Sequence, residues 1–146
     1  MVQNTVHTKV HWGDTDMAGI IYYPNYLKWF DMGTLTLVNE MGVSVIDLFH
    51  TEKIGLPLLD AGVTCRKPLL YNDAIRVVSR VTEVNNKTFR LEHEVYRGDE
   101  LTGHGHEVRG WVQFDDKGNL KAVPIPDSVR KLFLEDKELS ASCQKG

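Results

Sequence analysis

The chain is 146 residues long, 42% apolar and 25% charged, with a formal net charge of −3. That length suits one domain spanning residues 1–146, the charge speaks against a nucleic-acid partner, which wants a basic face, and no apolar run approaches the roughly 20 residues of a membrane span. The opening Met-Val-Gln-Asn-Thr-Val-His lacks the basic start and apolar stretch of a secretory signal, and Cys65 and Cys143 make neither a disulfide framework nor a metal pattern, so a cytoplasmic location is expected.

Residues 5–12 alternate, with Val6, Thr8, Val10 and Trp12 on one face, and predict a half-buried strand. A polar loop with two carboxylates, Asp14 and Asp16, follows. Next comes a stretch apolar almost all round, with Tyr26, Trp29, Phe30, Leu37 and Val38 among its members. A helix of that kind is wrapped by something, usually a sheet. Pro24 suits its first turn and Gly42 the position just past its end. Gly33 in mid-helix costs about 1 kcal/mol against Ala, which close approach to another backbone would explain. Ser44 opens a short helix to about residue 50 in the manner of a capping box. Residues 54–60 are extended but interrupted by Pro57, which implies an edge or a bend.

From residue 61 the pattern is β. Residues 63–67 predict a short strand and 73–84 a long one. Asn85-Asn86 reads as a two-residue hairpin turn. Residues 87–97 answer it with Phe89, Leu91, His93 and Val95 on one face. After a turn at Gly98-Asp99, residues 102–114 form a last long strand with Val108, Val112 and Phe114 together. A polar turn covers 115–119, residues 121–126 trail off the sheet, Asp127 caps a C-terminal helix of about ten residues, and residues 140–146 form a loose tail. A strand, a long helix, then an antiparallel meander specify an α+β fold in which a curved antiparallel sheet folds around the helix.

The loop before the helix carries the chemistry. The first N–H groups of a helix lack internal partners and carry partial positive charge, so they can receive a polarised carbonyl oxygen. A carboxylate beside such donors is the minimal kit for acyl transfer. The bland alternative is that one of the two Asp residues merely caps the helix or a turn, and spacing alone favours that alternative.

The stretch Gly-Asp-Thr-Asp-Met-Ala-Gly-Ile-Ile-Tyr-Tyr-Pro-Asn-Tyr at 13–26 resembles the signature of the hotdog-fold acyl-CoA thioesterases, and it looks closest to the 4-hydroxybenzoyl-CoA thioesterase branch. The order of elements extends the likeness over roughly residues 5–135. The resemblance implies a hotdog fold, protomers joined sheet edge to sheet edge as a dimer or tetramer, and an active site at the protomer interface. It implies an acyl-CoA substrate, hydroxybenzoyl-like, and no cofactor. Position by position, Asp16 matches the catalytic carboxylate, acting as nucleophile or general base. Tyr23 matches the residue whose backbone N–H polarises the thioester carbonyl. Gly19 matches the glycine that keeps the loop tight against the ligand, and Asp31 an acidic position near the acyl ring. The basic hairpin cluster that meets the nucleotide phosphates in that branch is reduced here to Asn85-Asn86-Lys87, leaving Lys87 as its one cation. Asp14 reads as a loop or capping residue.

Other candidates are weaker. His104 and His106 share a strand face, but no third and fourth metal ligand stands at a convincing spacing. His93 reads as a satisfied core histidine, Cys65 as a strand cysteine without a paired base, and Trp29 and Phe30 as core. Gly103 and Gly105 form no phosphate loop, because no helix follows them. Three functions stay open: an acyl-CoA thioesterase, on an aromatic or else a short-chain ester; a hydratase or dehydratase, which would want a His–carboxylate pair; and a non-catalytic acyl-CoA-binding protein.

Overall fold

Six strands form the main sheet of the computed structural model, which describes residues 1–139 and the backbone of 142 and 143. The sheet order is β3 (Leu58–Cys65), β6 (Glu100–Gly110), β5 (Thr88–Arg97), β4 (Ala74–Val84), β1 (Gln3–Lys9) and β9 (Ser142–Cys143). Every pairing is antiparallel except that of β9 with β1. The long helix α1 (Asn25–Glu40) crosses the inner face of β1, β3, β4, β5 and β6. The hotdog arrangement expected from the sequence is thus present. A short helix α2 (Val45–Asp47), a small sheet of β2 (Ile54–Gly55), β7 (Val112–Phe114) and β8 (Leu120–Ala122), and the helix α3 (Asp127–Leu134) close one end. No single helix among the described residues is long and apolar enough to cross a membrane.

Several boundaries move, each for a local reason. The first strand ends at Lys9, and Trp12 enters a 3-10 turn (Trp12–Asp14) where its ring is 75% exposed instead of sharing the buried face of Val6 and Val10. β3 begins at Leu58, directly after Pro57, and stops at Cys65. As expected of a Pro-marked segment it is an edge strand, with a register irregularity between Leu58 and Asp60. The hairpin after β4 turns one residue later than Asn85-Asn86: Asn85 N–H donates to Thr88 O at 2.8 Å, so Asn86 and Lys87 occupy the tip. Ser44 does cap α2, accepting from Asp47 N–H, but the chain then winds into a π-helical turn (Leu48–Glu52). Asp127 begins α3 without a side-chain capping bond. Residues 121–126 were expected to trail off the sheet, but Lys121 and Ala122, with Leu120, pair with β7. Of the supposed loose tail, residues 140, 141 and 144–146 lie outside the described residues, and Ser142 and Cys143 pair with Val6 and His7.

The core is two apolar halves separated by a polar layer. Toward the start of α1, Tyr26, Trp29 and Phe30 pack with Ile75, Val77 and Val95. Toward its end, Leu37 and Val38 pack with Val81, Phe89, Leu91 and Trp111. Between them lie Gly33 and Thr34 of α1, Ser79 of β4, His93 of β5 and Glu107 of β6, all buried. Gly33 is explained by this layer, because a Cβ there would fall on Ser79 Oγ. The close approach is to a side chain, not to a backbone.

The face of β6 was misjudged. Gly103, Gly105, Glu107, Arg109 and Trp111 point inward, not Val108. The two glycines leave room for helix rings: a Cβ on Gly103 would sit 2.6 Å from Tyr26 Cε1, and one on Gly105 2.6 Å from Phe30 Cε2.

Candidate active site

Asp14 and Asp16 have separate tasks. Asp14 is buried and closes the 3-10 turn: its Oδ2 accepts from His11 N–H at 2.8 Å, and Lys28 Nζ stands 3.3 Å from its Oδ1. Its carbonyl accepts from Tyr22 N–H and Asn25 Nδ2, both at 2.8 Å, which ties the loop to the start of α1. Asp14 is therefore the capping residue expected of it.

Asp16 sits at the exposed tip of a miniature hairpin. Its N–H donates to Ile20 O at 2.9 Å, and Thr15 bridges Ile21. Ile21 N–H in turn donates to Leu69 O at 2.8 Å, and both residues are buried, which anchors the hairpin on the body. Gly19 closes the tip, its N–H donating to Asp16 O at 3.0 Å with φ +80. Space around Gly19 is open, so its role there is conformational: few L residues adopt that φ without cost. One Asp16 oxygen accepts from Ala18 N–H at 2.8 Å. The other has no partner among the described residues, and Asp16 lines an open hollow together with Trp12, Gly13, Thr15, Met17 and Tyr22.

The helix start offers fewer donors than a generic N-terminus. The N–H groups of Asn25, Tyr26 and Leu27 are spent on the carbonyls of Tyr22, Tyr23 and Pro24, at 2.9, 3.1 and 3.0 Å. Pro24 has no N–H. That leaves the backbone N–H of Tyr23, which has no acceptor among the described residues. The several free donors expected from helix physics are in fact one, on the residue picked out by the family pattern.

Asp31 lies on α1 with its side chain 53% exposed, and Arg109 Nη2 donates to its Oδ1 at 2.7 Å. Lys87 is at the far end of the sheet. The end of β1, from which the Asp16 loop departs, pairs with the start of β4, and Lys87 follows the other end of that 11-residue strand, which is about 33 Å long. Asp16 and Gly19 share the hairpin tip, Tyr23 follows two residues after it ends at Ile21, and Lys87 lies beyond the far end of β4.

Behind Asp31 is a buried network that sequence reasoning missed. Arg109 donates through Nη1 to Leu56 O at 3.0 Å and through Nη2 to Glu107 Oε2 at 2.9 Å. Glu107 also accepts from Thr34 Oγ1 and faces His93 Nε2 at 3.3 Å. Burial alone would raise the Glu107 carboxyl, but hydrogen bonds from His93, Arg109 and Thr34 hold it at about 2. Burial pushes the His93 imidazole down, outweighing the pull of Glu107. A neutral His93 donating from Nε2 to Glu107 must accept at Nδ1, where Ser79 Oγ lies at 2.8 Å. His93 is the satisfied core histidine anticipated. The alternation Gly103, Gly105, Glu107, Arg109, Trp111 carried the signal, since two small residues in register with two inward helix rings mark the inner face.

His104 and His106 face the other side of the sheet, where His106 Nε2 meets Asp60 Oδ2 at 2.9 Å. No group of three or more His, Cys, Asp or Glu among the described residues is placed to hold a metal ion. Trp29 and Phe30 are core, as read.

Comparison with known proteins shows the family and the fold. The model of the thioesterase-like superfamily matches residues 10–133. The 4-hydroxybenzoyl-CoA thioesterase of Pseudomonas sp. (strain CBS-3) is 26% identical over 129 residues, 84% of this chain and 91% of its own. The 1,4-dihydroxy-2-naphthoyl-CoA hydrolase of Thermosynechococcus vestitus is 26% identical over 121 residues, 82% of this chain and 81% of its own. Among solved structures, a gentisyl-coenzyme A thioesterase superposes with a TM-score of 0.80 at 36% identity, covering 88% of this chain and 98% of that one. A 4-hydroxybenzoyl-CoA thioesterase mutant complexed with 4-hydroxybenzoyl-CoA gives a TM-score of 0.83 at 25% identity, covering 89% and 97%. The chain belongs to the thioesterase-like superfamily and is a thioester hydrolase of its hotdog-fold acyl-CoA thioesterase group.

Proposed function

We propose that this protein hydrolyses the CoA thioester of a hydroxylated aromatic acid, with Asp16 as the reacting carboxylate and the Tyr23 N–H as the carbonyl donor. The observation that carries the reading is the pairing of an Asp16 oxygen without a partner and a lone unspent N–H at the adjoining helix start. The thioester carbonyl oxygen accepts from Tyr23 N–H, which stabilises the negative charge developing there. Asp16 then attacks the carbonyl carbon, the C–S bond breaks and CoA leaves as thiolate; water opens the resulting anhydride and restores the carboxylate. In the general-base form of the same step, Asp16 takes the proton of an attacking water. Both routes consume one water and give free acid and CoA thiol. The aromatic preference rests on the relatives, which are a 4-hydroxybenzoyl-CoA thioesterase, a gentisyl-CoA thioesterase and a 1,4-dihydroxy-2-naphthoyl-CoA hydrolase.

We place the site at an interface between two copies, in a dimer or tetramer. β3 is an eight-residue edge strand with Leu58 and Leu59 exposed, a template for pairing with another chain. Asp31 stands beside that edge, since Arg109 binds both its carboxylate and the carbonyl of Leu56, two residues ahead of β3. Lys87, too far from Asp16 within one chain, serves the CoA phosphates only if a second copy presents it. The exposed free thiol of Cys65 fits a reducing cytoplasm.

The test is thiol release from 4-hydroxybenzoyl-CoA, a second hydroxylated aromatic ester, a short acyl ester and a long one, by wild type and Asp16→Asn. A hydroxylated aromatic ester is fastest, and the variant loses about 10³-fold in kcat. A variant as active as wild type removes Asp16 from the mechanism, and a faster short acyl ester removes the aromatic preference.

A further inference from the structure

We infer that Trp12 is a substrate-contacting residue that sets acyl specificity: its indole is the wall on which the planar acyl ring packs while Asp16 meets the thioester carbonyl. The inference rests on the aromatic-ester reading above and adds to it the group that receives the ring.

Trp12 and Asp16 line the same open hollow. A substrate whose carbonyl lies at Asp16 therefore has its neighbouring atoms beside that indole. Trp12 is 75% exposed, and Met17 and Tyr22 of the same hollow are exposed with it, so the apolar surface is a patch and not one scattered side chain. The indole is also held in place. Tyr71 meets it edge to face, with ring centroids 5.6 Å apart and planes at 81°. Tyr71 sits in a fixed turn: Asn72, in the left-handed region at φ +71, donates its N–H to Val10 O at 2.8 Å, Leu70 N–H donates to Asp73 Oδ2 at 2.8 Å, and Leu70 bridges Ile20 of the hairpin. Thr15 binds Trp12 O through its N–H and its Oγ1, at 3.2 and 2.7 Å, which spends the Thr15 hydroxyl. The lining then holds one charge, Asp16, beside an indole, a thioether and a phenol ring, with no cation and no side-chain amide. The amides and phosphates of a CoA arm find few partners there. A planar apolar ring fits, stacked offset on the open indole.

The experiment compares two unreactive ketone analogues, phenacyl-CoA and acetonyl-CoA, which share the CoA arm and the carbonyl and differ in the ring. Dissociation constants are measured for wild type, Trp12→Phe and Trp12→Leu, beside acrylamide quenching of tryptophan emission and thiol release from 4-hydroxybenzoyl-CoA by wild type. Trp29 and Trp111 are buried, so the quenching reads Trp12. Wild type prefers phenacyl-CoA, Trp12→Leu cuts that preference about 2- to 10-fold, and Trp12→Phe keeps most of it. Phenacyl-CoA shields Trp12 from acrylamide and acetonyl-CoA does not. A Trp12 that merely shapes its turn would weaken both analogues together and leave their ratio unchanged, which would overturn the inference. Equal shielding by both analogues would put the CoA arm on the indole, and a Trp12 already shielded in the free protein would put a second copy there; each overturns the inference. The quenching needs no variant, so it decides even if Trp12→Leu fails to fold. If wild type releases thiol from the aromatic ester but ratio and shielding fail, the role of Trp12 falls and the hydrolase reading stands. If ratio and shielding hold but no thiol is released, the reverse holds. If wild type binds neither analogue, both fall.

Discussion

Two carboxylates in this molecule, Asp16 and Glu107, are opposites. Asp16 is carried on an exposed hairpin tip, accepts one local N–H and keeps an oxygen free. Glu107 is 1% exposed and is saturated by Thr34, His93 and Arg109. A carboxylate in the fold's interior is tolerable only when fully paired, and one so paired has nothing left for a substrate. Chemistry falls to the group that the fold leaves unspent. The difference is set by the elements: a tight hairpin satisfies its own backbone and needs little from its side chain, whereas a helix and two strands, α1, β5 and its own β6, converge on Glu107.

Replacing each acid in turn separates the two roles most sharply. Asp16→Asn costs about 10³-fold in kcat while leaving stability to urea within about 0.5 kcal/mol, as for other exposed positions. Glu107→Gln does the reverse in kind: it strands Arg109 with a single partner charge and lowers the unfolding free energy by roughly 3 kcal/mol or more. A Glu107→Gln protein as stable as wild type in a urea melt would show that the polar layer is incidental to the fold.

The two regions also differed in how much of them could be read from the sequence. The hairpin and helix start were legible because their signals are local: Asp16 and Gly19 three apart, Pro24 at the helix entrance, an apolar stretch behind. Phe89, Leu91, His93 and Val95 were legible too, since a strand with one buried face alternates openly. Glu107 and Arg109 were not. Charged residues at inward positions invert the usual pattern, and Val108 and Val112 offered a more ordinary face. Only the opposing surface resolves that ambiguity: Tyr26 and Phe30 need the space over Gly103 and Gly105, which sets the parity of the whole strand. The N–H of Tyr23, without an acceptor among the described residues, was hidden for a similar reason. Whether the first helical donors are spent on i−3 carbonyls is decided by backbone geometry after Pro24, not by residue type.

Acid should find the buried pair. The Glu107 carboxyl lies at about 2 in the folded protein against 4.5 for an ordinary glutamate, so its contribution is whole above pH 4.5 and drains as pH falls toward 2. His93, held below 6.5, adds in the same sense, because from about pH 6.5 downward the unfolded chain takes a proton that the folded one refuses. Folding stability therefore declines from pH 7, and Glu107 alone accounts for about 2 kcal/mol of the loss by pH 3. Chemical melts at pH 7, 5, 4 and 3 on wild type and Glu107→Gln measure it. The variant's curve should be the shallower below pH 4.5, and parallel curves would assign the acid lability elsewhere.

The smallest effect probes how tightly the layer fits against the helix. Gly33→Ala gains about 1 kcal/mol of helix propensity, but its new methyl lands on Ser79 Oγ, which can turn away only by giving up His93 Nδ1. Overpacking of that kind costs about 2 kcal/mol, for a net loss of about 1 kcal/mol by difference. In a Ser79→Ala background the obstructing oxygen is gone, and the nearest remaining atoms, Ser79 Cβ and His93 Nδ1, stand at an ordinary 3.5 Å. There the same substitution should stabilise. A double-mutant cycle in urea reads the change of sign directly. Equal costs in the two backgrounds would mean that the helix shifts to accommodate the methyl, and that Gly33 is there for backbone reasons instead of to admit the serine–histidine bond.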